Sequence, residues 1–388
     1  LEPGNDDIHR HITHGTRNTN AIATEIIDDH HKLPMKFDIH FLPARYGDSI
    51  WIEYGTDQTH RILIDGGTKG TKADMLKFIK ALPEDQRHFE LMVVTHIDRD
   101  HIEGILALLE QETLGFKVDD FWFNGWEHLP EDEDEQLGPV QGERLTAAIL
   151  RHQLPWNKAF AKKAVVIPAS GPLPEIVLPG GMHLTLLSPL IKNLAELRPV
   201  WAKEVKDAGL VPGFGARPVV VAEEDEEQLG ILPDVNALNA EDFHEDEAEA
   251  NGSSIAFLGS FGGKTVFFGG DAFPGVVLGS LNRLSGDKAK IDLVKLSHHA
   301  SAHNTSPELI EKFDCNRYMI STNGSNYHHP AAVTVARVIK RGGHAVHLYF
   351  NYKSADNKVW DSRTLKQKHG YKAFFPASGK SGIKISLI

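Results

Sequence analysis

From Met35 onward, apolar runs of five to seven residues recur along the chain, most of them broken by Gly, Pro or Asn. They are FDIHFL (37–42), SIWIEY (49–54), RILID (61–65), LMVVTH (91–96), AVVIPA (164–169), HLTLLSP (183–189), SSIAFLG (253–259), KTVFFGG (264–270), IDLVKLS (291–297), RYMIST (317–322), HAVHLYF (344–350) and GIKISLI (382–388). Their Val, Ile, Phe and Tyr content predicts strands. Helical spacing lies between them, in ADMLKFIKAL (73–82), HIEGILALLEQ (101–111), GERLTAAILRHQ (142–153), SPELIEKF (306–313) and AAVTVARVIKRG (331–342). Strands in runs with interspersed helices predict an α/β fold of two sheets with helices on their outer faces.

Two stretches fall outside this rhythm. Residues 1–34 are polar and aperiodic and are expected to form a flexible leader, with one domain over 35–388. The leading Leu suggests a processed or trimmed chain. Residues 198–250 are expected to be an irregular acidic insertion. Its part 221–250 holds twelve acidic residues and no Lys or Arg, which leaves 41 basic against 41 acidic residues elsewhere. The formal charge of -12 therefore hides a C-terminal part, 261–388, with eighteen basic and eight acidic residues. Such asymmetry points to a polyanionic partner and to an acidic segment that competes with it for the same surface. A single cysteine excludes a disulfide framework, and no apolar run reaches the ~20 residues of a membrane span. The expectation is a soluble, cytoplasmic protein with no membrane association.

The chemistry concentrates in VVTHIDRDHIEG (93–104). His96, Asp98, Asp100 and His101 sit there in one turn between a predicted strand and a predicted helix. Imidazoles and carboxylates at that spacing suit a divalent metal ion. Other strand ends present more polar groups: Asp65 in RILIDGG, Asp271 in KTVFFGGDAF, His298 and His299 in IDLVKLSHHAS, and Asn323, Ser325 and His329 in ISTNGSNYHHP. Collecting groups from several strand ends is how α/β folds build sites. Asp48 in YGDSIWIEY reads either as part of this pattern or as a turn residue.

These motifs resemble the metallo-β-lactamase superfamily of metal-dependent hydrolases, and within it the branch typified by the nuclease domain of the DNA-uptake protein ComEC. That branch has H-x-D-x-D-H where the superfamily usually has H-x-H-x-D-H, and YGDSIWIEY, LIDGG, GGDAF, LVKLSHHAS and the N-x-x-x-HP end of STNGSNYHHP follow in its order, over residues 37 to about 340. The resemblance implies an αββα sandwich holding two divalent ions, zinc or manganese. His96 and Asp98 would hold one ion, Asp100, His101 and His298 the other, and Asp271 would bridge them, with Asp65 orienting the cluster from behind. Between His298 and His299 the preference falls on His298, the first residue past its strand. The third-motif histidine of the superfamily is replaced by Asn251, Gly252, Ser253 and Ser254, so the first site is expected to be oxygen-rich, favouring manganese or loosely held zinc.

Two ions that bridge a hydroxide would make the chain a metallohydrolase, with Asp100 orienting the nucleophile. His329 is expected to donate a hydrogen bond or a proton, and Asn323 and Ser325 to steady phosphate oxygens. The favoured substrate is DNA or RNA, restrained by the acidic insertion until a regulatory protein or protease displaces or cuts it. The alternative is a small ester, lactone, thioester or phosphocholine-type substrate, since the fold alone does not choose. A non-catalytic metal-stabilised module is a third class, disfavoured by candidate ligands at so many strand ends.

Overall fold

The computed structural model describes residues 34–130, 140–207, 232–284 and 286–388, with the backbone alone for 204–207. A six-stranded sheet is built from β1 (Lys36–Phe41), β2 (Ile50–Gly55), β3 (His60–Ile64), β5 (Leu91–Val93), β7 (Phe121–Trp122) and β18 (Ile383–Ser386), in the order β18-β1-β2-β3-β5-β7. An eight-stranded sheet is built from β8 (Glu175–Leu178), β9 (Met182–Ser188), β10 (Ala256–Phe261), β11 (Lys264–Phe268), β13 (Leu293–Lys295), β15 (Arg317–Ile320), β16 (His347–Phe350) and β17 (Lys372–Phe374). Its order is β17-β16-β15-β13-β11-β10-β9-β8. Two short ribbons, β4 (His88–Phe89) with β6 (Lys117–Val118) and β12 (Ala289–Lys290) with β14 (Phe313–Asp314), complete the strands.

Period-two alternation sorts the smaller sheet's side chains between two cores. Ile62 and Ile64 point toward the larger sheet, while Leu63 between them joins Trp51 and Met92 on the outer face. Rings meet across the inter-sheet layer, Phe37 and Tyr54 against Phe261 and Trp122 against Phe257. Helices α1 (Lys72–Ala81), α2 (Arg99–Leu109) and α3 (Val140–Arg151) cover the outer face of the smaller sheet. Helices α7 (Pro274–Leu284), α8 (Pro307–Lys312) and α9 (Ala332–Arg341) pack on the larger one. The architecture is an αββα sandwich of two mixed sheets, as expected.

Three expectations need correction or narrowing. The run AVVIPA is not a strand: only an isolated bridge joins Ile167 to Leu190, because Pro168 lacks the N–H needed to continue a ladder. The insertion does not begin irregularly at 198, since α4 (Ile191–Asp207) runs through Pro199 and buries Leu194, Leu197 and Trp201. Nor is its far end loose. Residues 232–248 form a strap that contains α5 (Val235–Asn239) and leads into α6 (Glu249–Gly252). Arg337 receives the strap by donating to the carbonyls of Asp242 (3.1 Å) and Glu241 (3.4 Å), with Phe243 under its guanidinium. The strap thus docks through its backbone at Arg337 and through Val235 in the core, while most of its carboxylates stay exposed. The leader, the EDEDE run and residues 208–231 lie outside the described residues.

Helix α2 meets the loop after β3 with almost no gap. A Cβ on Gly104 would lie 1.8 Å from the Gly66 carbonyl oxygen, and one on Gly66 would lie 2.1 Å from the Ile105 nitrogen. Two backbone bonds lock the contact, Gly66 N–H to His101 O (2.7 Å) and Gly104 N–H to Gly67 O (3.0 Å). Gly104→Ala therefore sets two effects against each other. Helix propensity alone favours Ala by about 1 kcal/mol, whereas overpacking costs about 1–3 kcal/mol or more. Net destabilisation is expected, read as a lower urea midpoint at unchanged slope; a raised midpoint would show that the contact is not tight.

Candidate metal centre

Parallel pairing aligns strand ends. β3 and β5 are parallel in one sheet, and β11, β13 and β15 are parallel in the other. Their carboxyl ends release Asp65, His96, Asp271, His298–His299 and Ser321 respectively, the place where open α/β sheets collect ligands. Asp98, Asp100 and His101 come from the start of α2, whose position the Gly66–Gly104 contact fixes.

Four imidazoles are each held through Nδ1. His101 Nδ1 donates to Asp65 Oδ2 at 2.8 Å. His299 Nδ1 donates to the Ser321 carbonyl at 2.8 Å, an acceptor with no proton to give. His96 Nδ1 meets Thr95 Oγ1 (3.0 Å) and Ser254 Oγ (3.1 Å). Because the Thr95 hydroxyl already donates to Asp65 Oδ2, Nδ1 is the donor there. His298 Nδ1 faces Asn304 Oδ1 at 2.9 Å, and Asn304 turns that oxygen toward it because its Nδ2 donates to Asp246 Oδ2 and to the Asp271 carbonyl. With each Nδ1 carrying the proton of the neutral ring, each Nε2 presents a lone pair.

Those lone pairs converge. His101 Nε2 lies 3.3 Å from His299 Nε2 and 3.4 Å from Asp271 Oδ2. Asp100 Oδ2 lies 3.1 Å from His299 Nε2, and Asp98 Oδ2 lies 3.4 Å from His96 Nε2. Asp271 Oδ2 also lies 3.7 Å from His96 Nε2 and 3.8 Å from His298 Nε2. A metal ion with ligands at about 2.0–2.2 Å spaces tetrahedral donors about 3.3–3.6 Å apart. The observed separations of 3.1–3.8 Å bracket that spacing, and His96 Nε2 is buried without a hydrogen-bond partner. The residues therefore fit a divalent cation. Asp98 and His298, with 42% and 24% of their side chains exposed, form the open edge of an otherwise buried cluster.

The surrounding carboxylates draw positive charge to these rings, and a second proton on Nε2 or a divalent cation supplies it. Burial opposes charge on His101, but Asp271, Asp65 and Asp100 outweigh it and lift its pKa well above the ordinary value. His298 is raised to about 9, burial being overcome by Asp271 and Asp246. Burial likewise opposes ionising Asp100, yet His101 and His299 hold it at about 2, and His101 and His298 drive Asp271 well below its usual range against the same burial. His329, whose ring lies 5.4 Å from His298 and 6.5 Å from His299, is pushed down to about 3 by burial and by those two rings. It is neutral at pH 7, so it offers a hydrogen bond and not the proton of an imidazolium.

The preference for His298 as the partner of Asp100 and His101 does not match the structure, which puts His299 there. Residues 298–300 are all left-handed, with φ of 47°, 52° and 68°, and this turn parts the two neighbouring rings. His298 Nε2 instead lies 3.8 Å from Asp271 Oδ2, the oxygen that His96 Nε2 faces from 3.7 Å. Asn323 and Ser325 bond to each other. Asn323 Oδ1 accepts from the Ser325 N–H (3.1 Å) and hydroxyl (2.8 Å), closing an Asx turn. Asn251 lies beside His298, its Nδ2 3.4 Å from Nδ1.

Several working residues carry little sequence signal. Thr95 and Ser254 hold His96, and Asn304 and Asp246 hold His298. Asp48 is buried in an ion pair with Lys295, whose ammonium has no solvent exposure, and its other oxygen lies 3.7 Å from His299 Nδ1. A lysine inside the apolar run IDLVKLS was the available clue.

No family profile and no curated protein matches the sequence. Among solved structures, a diphosphatase from the PhnP family is 13% identical with a TM-score of 0.38, over 91% of this chain and 98% of its own. The MIM-2 metallo-β-lactamase is 12% identical with a TM-score of 0.29, over 68% and 82%. A long form RNase Z from yeast is 14% identical with a TM-score of 0.33, over 91% and 42%. The fold stands on its own sheet order.

The Asp48–Lys295 pair ties the two sheets together beneath the cluster, and removing one partner leaves an uncompensated buried charge. Lys295→Met is expected to cost about 3–5 kcal/mol in urea unfolding. The double variant Asp48→Asn/Lys295→Met should recover most of that loss. Equal losses in the single and double variants would show that packing, not charge, is at stake.

Proposed function

We propose that the chain is a metal-dependent phosphodiester hydrolase and that nucleic acid is its substrate class. The observation that carries this reading is the single oxygen of Asp271, Oδ2, set 3.4–3.8 Å from Nε2 of His96, His101 and His298. In this reading His96, Asp98 and His298 would hold one divalent ion, Asp100, His101 and His299 would hold a second, and Asp271 would be available to either. Bound ions would supply Lewis acidity and a lowered water pKa, so no Ser or Cys nucleophile is required.

The chain's own groups do the positioning. Asp100 stays ionised and orients the attacking water, and neutral His329 donates a hydrogen bond to a phosphate oxygen. Asp65 and the Ser321 carbonyl keep the His101 and His299 protons on Nδ1. Each set offers two imidazoles and two carboxylates, a mixture that suits zinc as well as manganese.

For nucleic acid, the support is charge and an exposed ring. Tyr327 is 60% exposed beside His329 and offers a face on which a base can stack. The loop that carries it meets the basic 353–368 segment where His328 Nδ1 lies 3.3 Å from Asp356. Within that segment Lys353 and Lys366 are paired with Asp361, so Lys358, Arg363 and Lys368 are the better candidates for phosphate contacts.

Asp271→Ala should lose both ions in metal analysis, and Asp100→Ala or His101→Ala should lose turnover while the fold, read by circular dichroism, is kept. Retained turnover at full metal loading in either variant would exclude the two-ion reaction.

The substrate is decided by incubating metal-loaded protein with plasmid, single-stranded DNA, RNA, bis-p-nitrophenyl phosphate and a simple lactone. Nucleic-acid cleavage is expected, with binding that weakens steeply as salt rises and that falls on charge reversal of Lys358, Arg363 and Lys368. Cleavage of the small esters alone, or binding indifferent to salt, favours the alternative.

A further inference from the structure

We propose that Asp246, carried in by the strap, is a positioning residue that sets the tautomer of His298 and thereby the affinity of the ion held through that ring. The inference rests on the two-ion reading given above. His298 is the least enclosed imidazole of the four, and its backbone sits in a left-handed conformation. Packing alone does not fix it; the polar groups around Nδ1 do.

Two side-chain amides compete for that nitrogen. Asn304 offers an oxygen at 2.9 Å, which keeps the proton on Nδ1 and leaves the Nε2 lone pair aimed at the Asp271 side. Asn251 offers an N–H from 3.4 Å, which would favour the opposite tautomer, with Nε2 protonated and unable to bind a metal. Asp246 Oδ2 decides between them. It accepts from Asn251 Nδ2 at 2.6 Å, drawing that donor away from the ring, and from Asn304 Nδ2 at 2.8 Å, which together with the Asp271 carbonyl at 3.0 Å turns the Asn304 oxygen toward the ring. Its carboxylate also lies 3.6 Å from Nδ1 itself. A protonated Nδ1 beside an anion is the arrangement that raises a histidine's basicity toward a metal.

The strap is built to deliver this carboxylate. The Asp246 N–H donates to the His303 carbonyl at 3.1 Å, and His303 Nδ1 meets the His244 carbonyl at 2.8 Å. Glu245 accepts from the Gly275 N–H at 2.5 Å, at the start of α7 and four residues past Asp271. Main-chain bonds on one side and Arg337 on the other therefore hold residue 246 in place. Among the described acidic residues of this segment, Asp246 is the one whose carboxylate reaches a ring of the cluster.

The test titrates metal-free wild type, Asp246→Ala, Asp246→Asn, Asp246→Ala/Asn251→Ala and Glu241→Gln with Zn²⁺ by calorimetry and with Co²⁺ by visible absorption. Wild type and Glu241→Gln are expected to bind two ions. Both single Asp246 variants should weaken one ion about 10–100-fold, lose its share of the Co²⁺ spectrum, and leave the other ion unchanged. Removing Asn251 as well should restore much of the affinity, a recovery that a merely structural role for Asp246 would not produce. Two ions of wild-type affinity in the Asp246 variants overturn the inference alone. A wild type that binds fewer than two ions overturns the two-ion reading and this inference with it.

Discussion

His101 and His299 aim Nε2 at each other across 3.3 Å, and the other nitrogen of each ring is committed to an acceptor that has no proton to return. Two lone pairs at that distance repel unless a positive charge lies between them. With carboxylates of Asp100 and Asp271 closing the same space, the cluster demands a cation, whether protons or a metal ion. The buried surroundings make that demand acute, because charge inside a protein is weakly screened. Much of the nearby structure can be understood as keeping these groups from turning away.

The sandwich does so by convergence and by close approach. Parallel strands bring the carboxyl ends of both sheets to one edge, and the glycines at 66 and 104 let α2 settle against the loop after β3, so that Asp65 and His101 meet at 2.8 Å. Gly47 repeats the device: a Cβ there would lie 1.8 Å from the Asp100 carbonyl oxygen. Beneath them the Asp48–Lys295 pair joins one sheet to the other. Rigid backbone contacts thus carry the load that flexible side chains could not.

How much of this the sequence discloses depends on the kind of signal. Strand runs such as RILID and KTVFF are legible because their alternation survives in a half-buried sheet, and the H-x-D-x-D-H turn is legible because its spacing is local. Helix α4 is hidden by Pro199, which reads as a breaker although Leu194, Leu197 and Trp201 keep helical spacing around it. The exchange of His298 for His299 is invisible, because strand register says nothing about a backbone that turns left-handed immediately afterwards. Asp246 is hidden differently. It is one of twelve acidic residues in its segment, and only the tertiary path of the strap singles it out.

Three successive left-handed residues give the chain a small mirror-image turn at 298–300, each favoured less than a right-handed one by about 1–2 kcal/mol. In the proposed assignment, neighbouring residues of this turn serve different ions. The gauge between the two donor sets is then a single peptide unit, about 3.8 Å from one Cα to the next. Bond lengths set that gauge between the two backbone anchors, and the hydrogen bonds at each Nδ1 then set where the rings point. The cost is rigidity of another kind. Such a ruler tolerates many substitutions around it and no inserted or deleted residue within it.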